Sequence, residues 1–165
     1  MKKVLVLGLG NDLLTDDAVG LRVVHEVRQR LSGDTRIEVK ATAETGLALL
    51  DVIVDYGSLV VVDSVKTGRA PAGHIHSLAP ENFPSGSSRS PHSFGVERIC
   101  ELGRQRGLAV PERVRMIAIE IEDPFTLGAE MTPAVQEAIE TATDEVVEYA
   151  LEFARFAAPA SPAGI

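Results

Sequence analysis

Cysteine is almost missing from this sequence. Cys100 stands alone among 165 residues, which excludes an internal disulfide and any metal site built from several thiolates. Its neighbours Val96 and Ile99 suggest a buried helical face, and nothing close in sequence would lower a thiol pKa, so Cys100 reads as structural. Basic residues are short as well, 16 against 24 acids for a formal net charge of −8. A surface of that sign repels a phosphate backbone instead of releasing its counterions, which argues against a nucleic-acid partner. No apolar run approaches the roughly 20 residues of a membrane helix. Met1, Lys2 and Lys3 followed by Val4 to Leu9 resemble the opening of a secretion signal. The run gives way at once to Asn11 and Asp12, however, with no small-residue cleavage site. The expectation is a cytoplasmic chain without membrane insertion. With no internal repeat, linker or long low-complexity tract, one domain over 1–156 is expected, followed by a flexible tail over 157–165.

What is present is an ordinary globular balance, 45% hydrophobic and 24% charged residues. Val4 to Leu7 is a short aliphatic run that ends in Gly8-Leu9-Gly10, as a buried parallel strand does when it enters a tight turn. Gly20, Val23, Val24, Val27 and Leu31 then recur at helical spacing, with Arg22, His25, Glu26 and Gln29 on the other side. A strand over Ile37 to Ala41, a helix over Gly46 to Val54 and a strand over Leu59 to Val62, ending abruptly at Asp63, continue the alternation. Gly73 to Leu78 adds an edge strand, and Ala79 to Pro91, broken by prolines and serines, reads as a loop. A helix from His92 to Arg106, a strand from Val114 to Ile121 and a closing helix complete the chain. Thr132 is expected to cap that last helix with Pro133 at its first position. Such β-α-β alternation predicts a three-layer α/β/α domain with a mostly parallel sheet.

Ligands of an open parallel sheet bind outside the carboxyl ends of its strands. Two polar segments fall there, Gly10 to Asp17 after the first strand and Asp63-Ser64 after the apolar one, while Ser90-Pro91-His92 arrives from the long loop. Two carboxylates and an imidazole suit a divalent first-row metal, so Asp17, Asp63 and His92 are candidate ligands. In the first turn of a helix, His92 would feel the positive dipole end and stay neutral for coordination. As surface ligands they would contribute little to packing, about 0.5 kcal/mol each. Plain alternatives stand beside each: Asp17 as an acid of a first helical turn, Asp63 as a cap, His92 as a surface residue. His74 and His76, two apart on a strand, could share a metal, and alternation toward solvent explains them equally well.

The string Gly8-Leu9-Gly10-Asn11, with Leu13, Asp16, Asp17 and Gly20, resembles the N-terminal signature G-x-G-N-x-L-x-x-D-[DE]-x-x-G of the hydrogenase maturation endopeptidases. Val60 to Ser64 is similar to the family's second acidic strand end, Ser90 to Gly95 to its S-P-H segment, and Met131 to Val135 to its L-[ST]-P-x-V helix start. The resemblance runs from about Lys3 to the final helix. It implies an endopeptidase of the aspartic type that trims the C-terminus of the precursor of a nickel-iron hydrogenase large subunit. The nickel comes with that precursor and is not a permanent cofactor. Carried over by motif position, the residues contacting nickel are Asp17, Asp63 and His92. Asp17 is one methylene shorter than the glutamate often found in the family. Asp16 or Asp17 would act as general base, and backbone N–H groups of the Gly8, Gly10 and Asn11 turn would face the developing oxyanion. Thr45 and Gly46 survive from a D-x-G-T-x-G loop whose early acid and glycine are missing here, so the resemblance leaves open which hydrogenase is processed.

Three rival readings differ in class. A nucleotide-binding enzyme would use the glycine turn for pyrophosphate, but the third glycine is absent and Asp16 and Asp17 would repel phosphate. A peptidyl-tRNA hydrolase also carries a G-L-G-N string, against which the acidic charge counts. A non-catalytic, metal-dependent binding module would share the ligands and lack turnover.

Overall fold

The apolar runs assemble into one five-stranded sheet in the order β2-β1-β3-β5-β4. The computed structural model of the chain describes residues 2–13, 15–82, 95–122, 127 and 130–157. The strands are β1 (Val4–Leu9), β2 (Ile37–Thr42), β3 (Ser58–Val65), β4 (Ile75–Leu78) and β5 (Arg113–Glu120). β2, β1, β3 and β5 run parallel, and β4 closes one edge antiparallel to β5. The helices are α1 (Val19–Arg30), α2 (Ala48–Ile53), α3 (Val96–Gln105) and α4 (Pro133–Phe156).

Alternation along the buried strands divides the core in two. Val4, Val6, Val60, Val62, Ile117 and Ile119 pack against α1 and α4. Leu5, Leu7, Leu59, Val61 and Met116 pack on the opposite face against α2 and α3. Because the chain moves from β1 to β2 on one side and returns to β3 on the other, the switch point of the sheet lies between β1 and β3. This is the expected three-layer α/β/α architecture.

Glycines bring α1 onto that point. A Cβ on Gly20 would run into the Leu9 carbonyl oxygen and stand 2.7 Å from the Val62 oxygen, so the first turn of α1 rests on the carboxyl ends of β1 and β3. A Cβ on Gly10 would collide with the Asp17 carbonyl in the same way. The two glycines set how close the acidic turn comes to the sheet.

Several boundaries differ from expectation. β3 does not stop at Asp63 but continues to Val65, since Asp63, Ser64 and Val65 keep their register with Ala118, Ile119 and Glu120. The helix expected from His92 opens at Val96, because Gly95 takes a left-handed φ of 101°. Its start lies four residues beyond His92, which removes the first-turn dipole argument. Pro80–Asn82, expected as loop, forms a short 3-10 turn. Residues 83–94, with Ser90, Pro91 and His92, lie outside the described residues, as do 158–165 of the tail.

Candidate functional site

The loop from β1 descends through a 3-10 turn, Asp16–Ala18, directly into α1. That turn carries its two acids inward, and the structure gives them different tasks. Asp16 accepts the Thr132 N–H at 2.8 Å and the Thr132 hydroxyl at 3.1 and 3.2 Å. Thr132 is the residue before α4, in extended conformation. Its hydroxyl therefore does not cap α4, as the sequence suggested. It is turned to Asp16 and ties the start of α4 to the acidic turn.

Asp17 points to the switch point. One of its oxygens accepts the Ser64 hydroxyl at 2.6 Å and the other the Asn11 N–H at 3.0 Å. Ser64 in turn donates its own N–H to Asp63 at 2.8 Å. A single residue of β3 thus bridges the carboxylates of Asp17 and Asp63, which approach from the ends of two neighbouring strands. Both acids are buried, 3% and 1% exposed. The expectation of surface ligands with a negligible part in packing is therefore corrected. Buried carboxylates that satisfy backbone and hydroxyl donors leave those donors orphaned when removed, at about 1–3 kcal/mol each.

The backbone of the glycine turn is also committed. Gly8 is a paired residue inside β1, Gly10 donates its N–H to the Thr42 oxygen at 3.3 Å, and Asn11 donates to Asp17. The N–H groups of Gly10 and Asn11, expected at an oxyanion, are internal donors here, and Gly8 and Gly10 act through close approach. Asn11 also turns its side-chain oxygen to the Leu13 N–H at 3.0 Å, shaping the loop. Thr45 and Gly46 are exposed at the carboxyl end of β2, Gly46 with a φ of 61°. They stand one strand away from the switch point.

Sequence reasoning missed Glu120. It closes β5 at the same carboxyl edge, is 2% exposed, and collects donors from Thr67, Gly68 and His76. The signal was a lone acid inside the apolar run Ile117-Ala118-Ile119-Glu120-Ile121. Burial alone would push this carboxyl up, but hydrogen bonds from His76, Thr67 and Gly68 outweigh it and hold the group below the usual glutamate range. His76 and His74 lie edge to face with ring centroids 4.7 Å apart. His76 Nε2 is bound to Glu120, and among the described residues no group of three or more His, Cys, Asp or Glu is arranged to hold a metal. Cys100 is buried, and desolvation raises its thiol, in keeping with a structural role.

A concavity of about 830 Å³ lies elsewhere, lined among others by Arg98, Arg104, Arg113 and Arg115. Arg113 pairs with Ser58 at the amino end of β3, so this hollow is at the wrong edge of the sheet for switch-point chemistry.

Known proteins share this sequence and fold. A model of the hydrogenase maturation protease family matches residues 21–149, a span that begins just past Asp17 and includes Asp63 and His92. The chain is 28% identical over 147 residues to the hydrogenase 2 maturation protease of Escherichia coli strain K12, covering 88% of each. Its structure resembles that of the hydrogenase maturating endopeptidase HybD from E. coli with a TM-score of 0.75 at 27% identity, covering 92% of this chain and 93% of that one. A hydrogenase 2 maturation peptidase from Thaumarchaeota archaeon SCGC_AB-539-E09 is similar with a TM-score of 0.62 at 27% identity, over 90% and 97% of the two chains.

Proposed function

The chain belongs to the hydrogenase maturation protease family, and on that premise we propose that it removes a C-terminal peptide from the nickel-loaded precursor of a nickel-iron hydrogenase large subunit. The observation that carries the reading to a site is the Ser64 bridge, which gathers the Asp17 and Asp63 carboxylates at the switch point of the sheet. Two carboxylates there, with the His92 imidazole as the third donor implied by the family motif, make a set suited to the nickel of the precursor. The ion belongs to the substrate, so it serves as the mark by which an unfinished large subunit is recognised and as the point that fixes the scissile segment. No helix among the described residues is long and apolar enough to cross a membrane. The reading places the reaction in the cytoplasm.

Hydrolysis of the aspartic type needs a carboxylate that takes a proton from the attacking water. Asp17 fits that part better than Asp16, because it is joined through Ser64 to Asp63 at the switch point, whereas Asp16 is turned to Thr132 at the start of α4. Asp16→Ala is accordingly expected to destabilise the fold by about 2 kcal/mol, because the Thr132 N–H at the start of α4 loses its acceptor. Asp16→Asn, which keeps an oxygen there, should fold nearly as well and still process. Denaturant unfolding with a cleavage assay separates the two acids. A well-folded but inactive Asp16→Asn would return Asp16 to the chemistry.

The direct test of the function is incubation with the nickel-loaded precursor encoded by the same organism, followed by mass measurement of the protein and the released peptide. One cut near the C-terminus is expected. A stable complex that releases no peptide would make the chain a metal-dependent binding module instead. The nucleotide reading loses ground on the structure, since buried Asp16 and Asp17 occupy the turn where a phosphate would sit.

A further inference from the structure

The glycine signature leaves one of its residues unused by the fold. Leu9 is buried, Gly8 and Gly10 act through close approach, and Asn11 shapes the loop. Leu13 does none of this, since it is 66% exposed. A leucine held out in water forgoes the stabilisation that burial of its apolar area would bring. Five large hydrophobic side chains are exposed among the described residues: Leu13, Leu47, Leu108, Leu127 and Phe156. Single exposed leucines are ordinary on a protein surface, so placement decides more than number. Phe156 is stacked under the Arg113 guanidinium, 4.6 Å from the ring centroid, and Leu108 precedes β5 at the amino edge of the sheet. Leu13, Leu47 and Leu127 instead follow the carboxyl ends of β1, β2 and β5, the edge that carries Asp17 and Asp63.

Two of these leucines have their backbone pinned. Asn11 gives its N–H to the Asp17 carboxylate at 3.0 Å and takes the Leu13 N–H on its side-chain oxygen, also at 3.0 Å. One residue therefore sets Leu13 close to Asp17 while the leucine side chain stays in solvent. Leu47 stands where α2 begins and is likewise 66% exposed. Gly46 turns the chain there with its φ of 61°, and the Gly46 and Leu47 oxygens accept the N–H groups of Leu49 and Leu50 at 3.1 and 3.0 Å. The two loops leave from one junction, since Leu9 pairs with Thr42 and Gly10 donates its N–H to the Thr42 oxygen. From that junction Leu13 and Leu47 lie at most roughly 11 and 18 Å away along the chain. A protein docked over Asp17 with a contact of ordinary size, about 800 Å² on each partner, reaches both.

We propose that Leu13 and Leu47 form an apolar rim on which the precursor protein docks, receiving apolar side chains that flank its nickel-bearing segment. This rests on the reading of the chain as a precursor-processing protease whose site includes Asp17. The occupant is the substrate, because Leu13 lies in the loop between Asn11 and Asp17, and whatever brings a scissile segment to Asp17 covers that loop as well. A second copy of this chain seated there would block the site. The test is steady-state cleavage of the nickel-loaded precursor by the wild type, Leu13→Ser, Leu47→Ser, Leu13→Met and Leu108→Ser, each with its thermal midpoint and its mass in solution. Serine at either exposed position leaves the midpoint in place. Leu13→Ser should raise KM about tenfold with little change in kcat, and Leu47→Ser should raise it several-fold. Leu13→Met restores apolar area and should return KM to within about twofold of the wild type. Leu108→Ser removes a leucine from the opposite edge and should leave KM unchanged. A KM within about twofold of the wild type for both site-edge serine variants overturns the rim and leaves the protease reading standing. A raised KM that Leu13→Met shares, or that comes with a fallen midpoint, also overturns it, since the loop's structure and not its apolar surface has then been lost. So does a dimeric wild type that Leu13→Ser converts to monomer, which would assign the rim to a second copy. If the wild type itself does not cut the precursor, the reading and the rim fall together.

Discussion

Asp63→Asn and Asp17→Asn are each expected to lose at least about a thousandfold in precursor processing while remaining folded. At position 63 asparagine keeps an oxygen for the Ser64 N–H, and at position 17 it keeps one for either the Ser64 hydroxyl or the Asn11 N–H, so the local hydrogen bonds are partly preserved. What disappears is the negative charge, and with it most of the attraction for a divalent ion. Roughly 4 kcal/mol of lost interaction corresponds to that thousandfold change. The alanine variants should be equally inactive but less stable by about 1–3 kcal/mol, because they orphan buried donors. His92→Ala is expected to match the asparagine variants in activity. The measurement is single-turnover cleavage alongside unfolding in denaturant. Full cleavage by any two of the Asp17, Asp63 and His92 variants would dismantle the site. Loss of cooperative unfolding in all three would show that these residues hold the fold and say nothing of catalysis.

The contrast between asparagine and alanine follows from what a sequence does and does not display. Period-2 and period-3.6 patterns are local, so β1, β2, β5, α1 and α4 could be read within a few residues of their ends. The Gly10 and Gly20 approaches were legible as a motif, because close backbone contact permits no other residue. The end of β3 was not. An acid after an apolar run looks like a strand's end, yet Asp63 to Val65 stay paired because β5 offers partners through Glu120. Nor could local pattern divide the labour between Asp16 and Asp17. That division depends on Thr132 and Ser64, residues 116 and 47 positions away. The same long-range pairing explains why Thr132, which does stand at the N-cap position of α4 with Pro133 after it, gives its hydroxyl to Asp16 instead of to the helix, and why Glu120 escaped notice. Buried acids are rare unless partnered, and partners that arrive from another strand are invisible until the topology is known.

The other large effect concerns the substrate. A precursor without nickel should resist cleavage even at high enzyme concentration, whereas the nickel-loaded form is cut once near its C-terminus. The buried pair Asp17 and Asp63, bridged by Ser64, gives the reason. A divalent ion presented to the two carboxylates adds a strong attraction at the moment the substrate docks. Without the ion that attraction is absent, in a chain whose net charge is already −8, and docking loses several kcal/mol. A difference of a factor of roughly a thousand or more is expected between the two precursors. It should narrow in Asp63→Asn, where the charge that distinguishes them is reduced. Mass measurement over a time course decides the matter. Equal cleavage of both forms would mean that the acids act on the peptide and not on the metal. That result would turn the site into a simple carboxylate hydrolase whose specificity lies elsewhere, in the exposed Thr45-Gly46 loop.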